Sequence, residues 1–216
     1  MKQNITISVE KSLLRKARAL AAQRGASISA MLAQELLRIA DRESEYALAR
    51  RRALARGSLP HSTSVAGSVS PGRRCMIVKT FVDSNVLIYA HDADAGSKQR
   101  IAADRLRKLW ESGAGLLSTQ VLQEFYVNVT RKIASPLAAG AAREVVRDYA
   151  AWIESSVTAA TIVRASEIGE VWRVSFWDAM ILAAGEQSGA EQLLTEDLIA
   201  GEKIAGIEIV NPFSGA

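Results

Sequence analysis

Four carboxylates in this sequence stand where they could act together on one substrate: Asp83, Glu124, Asp178 and Asp197. Asp83 follows a short apolar run, in Phe81-Val82-Asp83-Ser84-Asn85-Val86-Leu87. Asp197 follows a second such run, in Leu193-Leu194-Thr195-Glu196-Asp197-Leu198. Glu124 lies in the first turns of a helix expected after a third, and Asp178 opens an apolar helix in Phe176-Trp177-Asp178-Ala179-Met180. Read alone, each acid is accounted for as a cap or a surface residue, and the helix dipole suffices to stabilise Asp178. Read together, four carboxylates within about 5 Å repel by roughly 3 kcal/mol per pair at an effective dielectric of 20. Such a group stays ionised only around a cation. Oxygen ligands without histidine or cysteine select magnesium or manganese. The chemistry served by such a site is phosphodiester hydrolysis, with the metal activating water and offsetting phosphate charge.

The elements that must position these acids follow from the hydrophobic pattern. Strands are expected at Ile77–Val82, Gly115–Ser118, Val157–Ala159, Gln192–Thr195 and Ile207–Val210. Helices are expected at Asn85–Ala90, Ser97–Glu111, Val121–Arg131, Ala138–Ile153, Thr161–Val171 and Trp177–Gln187. Strands separated by helices predict an α/β fold with a parallel sheet covered on both faces. Ligands of such sheets collect outside the carboxyl ends of the strands, where Asp83 and Asp197 fall. Residues 76–216 are enough to bury a full core.

The first part of the chain is different in kind. Residues 1–75 hold 14 Lys/Arg against 5 Asp/Glu, whereas residues 76–216 hold 13 against 18. The overall charge of +4 therefore hides a basic segment joined to an acidic domain, which implies different partners for each. Residues 3–9 alternate polar and apolar and predict a strand with one buried face. A helix follows from Glu10 to Gln23, Gly25 ends it, and Ser27 caps a second running toward Arg42. A strand and two helices in residues 1–45 cannot bury a core alone, so dimerisation through the strand is expected. Residues 46–75 read as a basic helix bearing Arg50, Arg51, Arg52 and Arg56, then a Ser/Gly/Pro linker. One cysteine, Cys75, and two histidines exclude a disulfide framework and a Cys/His zinc cluster. No apolar run is long enough to span a bilayer and no leader pattern opens the chain, so a cytoplasmic location is expected.

These motifs carry a resemblance. The run from Met76 to His91, with Ser118-to-Phe125, Trp177-Asp178-Ala179 and Leu194-to-Leu198 in the same order and spacing, resembles a PIN-domain ribonuclease, the toxin of VapBC-type toxin–antitoxin pairs. The resemblance implies a PIN-like parallel sheet flanked by helices and a magnesium- or manganese-dependent endoribonuclease. It implies Asp83 and Asp178 as direct metal ligands, with Glu124 and Asp197 completing the site. Asn85 and Thr195 match the polar residues that accompany the acids, and Glu196 is a neighbouring acid that competes with Asp197 for its role. Residues 1–45 resemble a ribbon-helix-helix repressor of the antitoxin type, which implies operator DNA read by Asn4, Thr6 and Ser8 from a homodimer or higher oligomer. Both partners of a two-gene pair would then share one chain, by natural fusion or by two coding regions read as one. The competing readings are a DNA-binding transcriptional regulator with a non-catalytic acidic assembly domain, and a nuclease acting on DNA. Asp92-Ala93-Asp94 reads as a solvated turn, and Trp152, Trp172, Phe176 and Trp177 read as core. The basic helix suggests a further possibility, that one of its arginines enters the acidic site in place of the cation.

Overall fold

A computed structural model describes residues 6–55 and 77–214. By its own contacts the chain divides into two compact units, Met1–Tyr46 and Ala47–Ala216.

In the first unit, α1 spans Lys11–Gln23 and α2 begins at Ile28 and runs to Ala55, its last turns belonging to the second unit. The local signals are those expected. Gly25 has φ +60, a left-handed conformation that stops a helix cheaply only at glycine. The Ser27 hydroxyl then accepts from the Ala30 amide at 3.1 Å and caps α2. The strand expected over residues 3–9 is not formed over residues 6–9, which carry no regular structure; residues 3–5 lie outside the described residues. A single strand has no ladder partner within its own segment, and its backbone groups are left to water. Ile7, Val9, Leu13, Leu32, Leu36 and Leu37 are correspondingly exposed.

The second unit is an α/β domain. Its elements are β1 (Thr80–Val82), α3 (Ser84–His91), α4 (Ser97–Ser112), β2 (Gly115–Leu116), α5 (Thr119–Arg131), α6 (Ala139–Tyr149), α7 (Ala159–Trp172), α8 (Phe176–Gln187), β3 (Gln192–Leu194), β4 (Lys203–Ile204) and β5 (Ile207–Val210). The five strands lie in the order β2-β1-β3-β5-β4. All neighbours are parallel except β4 and β5, which form an antiparallel hairpin at the sheet edge. That hairpin is an element the hydrophobic pattern does not reveal, because β4 has only two residues. Val157–Ala159 is not a strand. Thr158 instead starts α7 through a capping box with Thr161, and a threonine run satisfies a helix entry as readily as a ladder.

Burial explains the topology. Phe81, Val82, Leu116, Leu193 and Leu194 are buried without alternation, as strands covered on both faces require. Ala179 to Gly185 of α8 are all buried, so this helix is apolar all round and lies within the core. A Cβ added at Gly185 would lie 3.1 Å from Ile207 and 3.6 Å from the Phe81 ring, which measures how closely α8 crosses the sheet. At the amino end of β2, Trp110, Tyr149 and Trp152 form one aromatic cluster, with ring centroids 4.7–5.4 Å apart.

The end of α2 packs onto this same side of the domain. Arg52 Nε donates to Asp148 Oδ1 at 2.8 Å, with the Asp148 side chain only 2% exposed, and Arg50 donates to the Glu111 carbonyl at the end of α4. Neither arginine bonds a carboxylate of the expected site. Glu111 precedes the amino end of β2, the opposite edge from Asp83. Within this chain Arg50 and Arg52 are engaged at Glu111 and Asp148 instead, and Arg56 lies outside the described residues. Arg52 gains a charge-assisted bond to a buried acid there.

Two substitutions test this packing. A Cβ at Gly115 would fall 2.6–2.7 Å from three atoms of the Trp152 indole, so Gly115→Ala is expected to lower unfolding stability by about 1–3 kcal/mol, read from the urea midpoint. Arg52→Ala is expected to cost about 1–3 kcal/mol by the same measurement, since it strips a charged donor from a buried carboxylate. No change in either midpoint would contradict the assignment.

Candidate active site

Asp83 is the residue around which the site is built. The ladder continues one step past β1, where the Asp83 amide donates to the Leu194 carbonyl at 3.0 Å. The chain then turns into α3 with Asp83 as its N-cap. The side chain is 4% exposed. Its Oδ1 accepts from the Ser84 amide at 2.5 Å, and its Oδ2 accepts from Thr195 Oγ1 at 2.7 Å and Asn85 Nδ2 at 3.0 Å.

The adjacent strand supplies the second half. Val82 pairs with Leu194, so Thr195 emerges beside Asp83, fully buried. Asp197 lies two residues on and its amide donates to Thr195 Oγ1 at 3.1 Å. Asn85 Nδ2 donates to Asp197 Oδ2 at 2.9 Å and lies 3.2 Å from Thr195 Oγ1. One amide group thus lies between the two carboxylates and takes up part of their charge. The Asn85 Oδ1 atom is buried with no hydrogen-bond partner among the described residues. Such an atom ordinarily has a partner, water or ion included.

Glu124 joins through a hydroxyl. Ser118 caps α5, its side chain accepting from the Val121 amide, and this sets Glu124 on the second turn facing α3. Ser84 Oγ donates to Glu124 Oε2 at 2.7 Å and lies 3.2 Å from Asp83 Oδ1, while Gln120 Nε2 donates to Glu124 Oε1 at 3.0 Å. Ser84 and Gln120 are hydrogen-bonded neighbours of the acids that the motifs did not single out. Only the position of Ser84, directly after an acid at a strand end, could have flagged it.

Asp178 stands apart. Its helix α8 leads through a short turn into β3, which brings its amino end to the same edge of the sheet. There it forms a reciprocal cap with Ser175, accepting from the hydroxyl at 2.7 Å and donating its amide at 3.2 Å. No hydrogen bond joins it to the other three acids among the described residues. Glu196 also leaves the group: its oxygens accept from Tyr89 Oη and Lys98 Nζ, each at 2.5 Å. Among the described residues no three His, Cys, Asp or Glu are spaced to hold a metal ion.

The aromatic residues near Asp178 correct a second expectation. Trp152 is core, but Trp172, Phe176 and Trp177 are 46%, 45% and 64% exposed. They sit at the corner where α7 ends and α8 begins, so their side chains leave the core before the buried stretch starts at Ala179. Asp92-Ala93-Asp94 is a turn, the Asp94 amide bonding the Asp92 side chain at 3.0 Å. Of the residues expected to read DNA, Thr6 and Ser8 are exposed in irregular chain, and Asn4 lies outside the described residues.

Electrostatics follow from burial. Loss of hydration raises the Asp83 carboxyl to a pKa of about 6, against the pull of the Thr195 and Ser84 donors, and the charge of Asp197 adds to the rise. Burial would raise Glu196 as well, but the Lys98 and Tyr89 donors outweigh it and hold the group below its ordinary value. The donor set fits a hard divalent cation: it is oxygen-only, and magnesium is usually held by one or two carboxylates with water completing its sphere. Asp83 and Asp197 are the two carboxylates that the Asn85 amide brings together, with the Asn85 oxygen buried beside them.

The chain belongs to the PIN-domain family, whose model matches residues 80–202, more than half of its length. PIN domains are generally metal-dependent nucleases, and that class fits carboxylates gathered at the carboxyl edge of a parallel sheet. No curated protein matches the chain. No helix among the described residues is long and apolar enough to cross a membrane.

The raised Asp83 carboxyl gives a prediction with a definite sign. An acid whose folded pKa exceeds its unfolded value contributes stability below the unfolded value, near 3.8, and loses it as pH rises through about 6. In metal-free buffer Asp83→Asn is therefore expected to gain thermal stability over the parent chain from pH 4 to pH 7.5, by about 3 kcal/mol. A difference in melting temperature that does not change with pH would contradict the assigned burial.

Proposed function

We propose that this chain is a magnesium-dependent endoribonuclease of the toxin–antitoxin kind, with manganese able to substitute, joined to its own antitoxin-like repressor segment. The observation that carries the reading is the network linking buried Asp83 to Asn85, Thr195 and Asp197 in a PIN-family chain. A divalent cation bound there would supply activated water and charge neutralisation at the scissile phosphate. Asp83 and Asp178 are the proposed direct ligands, with Asp197 and Glu124 in support. Asp83 provides a carboxylate already stripped of water, so its affinity for a cation is not weakened by a hydration shell. Asn85 and Thr195 hold Asp83 and Asp197 apart in fixed orientations. Glu124, fixed by Ser84 and Gln120, is the acid free to orient the attacking water and take its proton. Of the Asp178 carboxylate oxygens, the Ser175 cap takes Oδ2, and Oδ1 is the one Asp178 would offer.

The segment ahead of the domain suits a separate task. Its basic charge matches nucleic acid, and the exposed apolar residues of α1 and α2 suit a second copy of the chain. A homodimer that pairs the residues 3–9 across its axis would present Asn4, Thr6 and Ser8 to operator DNA. The competing reading, a transcriptional regulator whose acidic domain serves assembly alone, draws on one observation: Asp178 makes no bond to the other acids.

Cleavage of a panel of cellular RNAs by the intact chain separates the two. Cleavage is expected with magnesium or manganese and is expected to stop with a chelator. Asp83→Asn should lower it by about 10²–10³-fold, the scale on which one transition-state electrostatic group acts, while the triple change of Asn4, Thr6 and Ser8 to alanine leaves it intact. Operator binding without any metal-dependent cleavage would favour the regulator.

A further inference from the structure

Three consecutive residues leave the carboxyl end of β3, and they go to two different places. Thr195 and Asp197 turn toward Asp83 and Asn85, whereas Glu196 between them turns away, in a bend where the Asp197 amide donates back to Thr195 Oγ1. Glu196 is then held at both oxygens: Tyr89 Oη of α3 donates to one and Lys98 Nζ of α4 to the other, each at 2.5 Å. Lys98 is itself held. Its ammonium lies 4.5 Å from the Tyr89 ring centroid and 5.3 Å from that of Phe213, a geometry that favours a cation. Phe213 meets Tyr89 edge-on, centroids 5.3 Å apart. Two separated stretches of chain therefore bond one carboxylate, and a third, at Phe213, packs against both of them.

We infer that Lys98 and Tyr89 are positioning residues: by clamping Glu196 they fix the loop that presents Asp197 to Asn85, and they keep Glu196 itself out of the carboxylate site. Two adjacent acids follow β3, and a loop free to rotate could offer either to Asp83. A salt bridge with a hydroxyl bond at the second oxygen removes that freedom, because turning Glu196 inward would break both bonds and leave Lys98 without its acid. The selection between Glu196 and Asp197 is thus made outside the site, by residues that touch neither substrate nor cation. The inference rests on the reading of Asp197 as a supporting group of a cation site, and its test includes a measurement that does not.

Two measurements on the intact chain test it together. The side-chain amide of Asn85, bonded to both Asp83 and Asp197, reports by NMR on where Asp197 lies with no metal present. Manganese binding, followed by electron paramagnetic resonance, reports on the site as a ligand set. Lys98→Met is expected to shift or broaden the Asn85 amide signals and to weaken manganese binding about tenfold, the usual effect of removing a group that orients a ligand. Lys98→Arg is expected to restore both. Tyr89→Phe keeps the ring and should produce the same changes in smaller measure, and it carries the test if Lys98→Met unfolds. Unchanged Asn85 signals in Lys98→Met or Tyr89→Phe would overturn the inference. So would loss of manganese binding in Glu196→Gln with none in Lys98→Met, which would make Glu196 a ligand. If the parent chain binds no manganese, the cation reading fails while the Asn85 signals still decide the clamp.

Discussion

A carboxylate that has lost its water must be compensated by something else, and in this protein Asp83 sets that requirement for everything near it. The residue stands at the end of a central strand, between β2 and β3, where neighbouring chain leaves it almost no exposure to solvent. Its two oxygens are met by a helix N-terminal amide, a threonine hydroxyl and an asparagine amide. These compensate enough to hold the side chain in one orientation but not enough to keep it at an ordinary acidity. The remaining imbalance is what a cation would remove. The parallel register of β1 and β3 matters for the same reason, since a slip of one residue would carry Thr195 to the other face of the sheet.

The charge division in the sequence takes on a local meaning in the structure. The end of the basic helix is used at the amino edge of the sheet, where Arg52 meets buried Asp148 and Arg50 meets the end of α4. The acids at the carboxyl edge are instead organised by polar uncharged groups, while Lys98 is committed to Glu196. Among the described residues, the end of the basic helix therefore meets the domain through Arg50 and Arg52, away from the Asp83 network.

Much of this was legible in the residues themselves. Asp83, Asn85, Thr195 and Asp197 lie within a few positions of two strand ends, so knowing the strands places them together. The helices were also plain, because their apolar spacing is long and regular. What the sequence concealed is of two kinds. Some features depend on side-chain direction, such as the outward turn of Glu196 or the bridge from Ser84 to Glu124, and adjacency alone does not set direction. Others depend on what lies opposite. Val157–Ala159 has the composition of a strand but faces no open ladder, residues 6–9 have the alternation but no partner among the described residues, and Trp177 is large and apolar but sits two residues ahead of the buried part of α8.

The account stands on the desolvation of Asp83, which carbon-detected NMR of its carboxyl can measure directly. Titration of the metal-free chain should show this group ionising near pH 6, and saturating magnesium should move the transition well below that. A carboxyl that titrates near 3.8 and ignores magnesium would contradict the account at its centre.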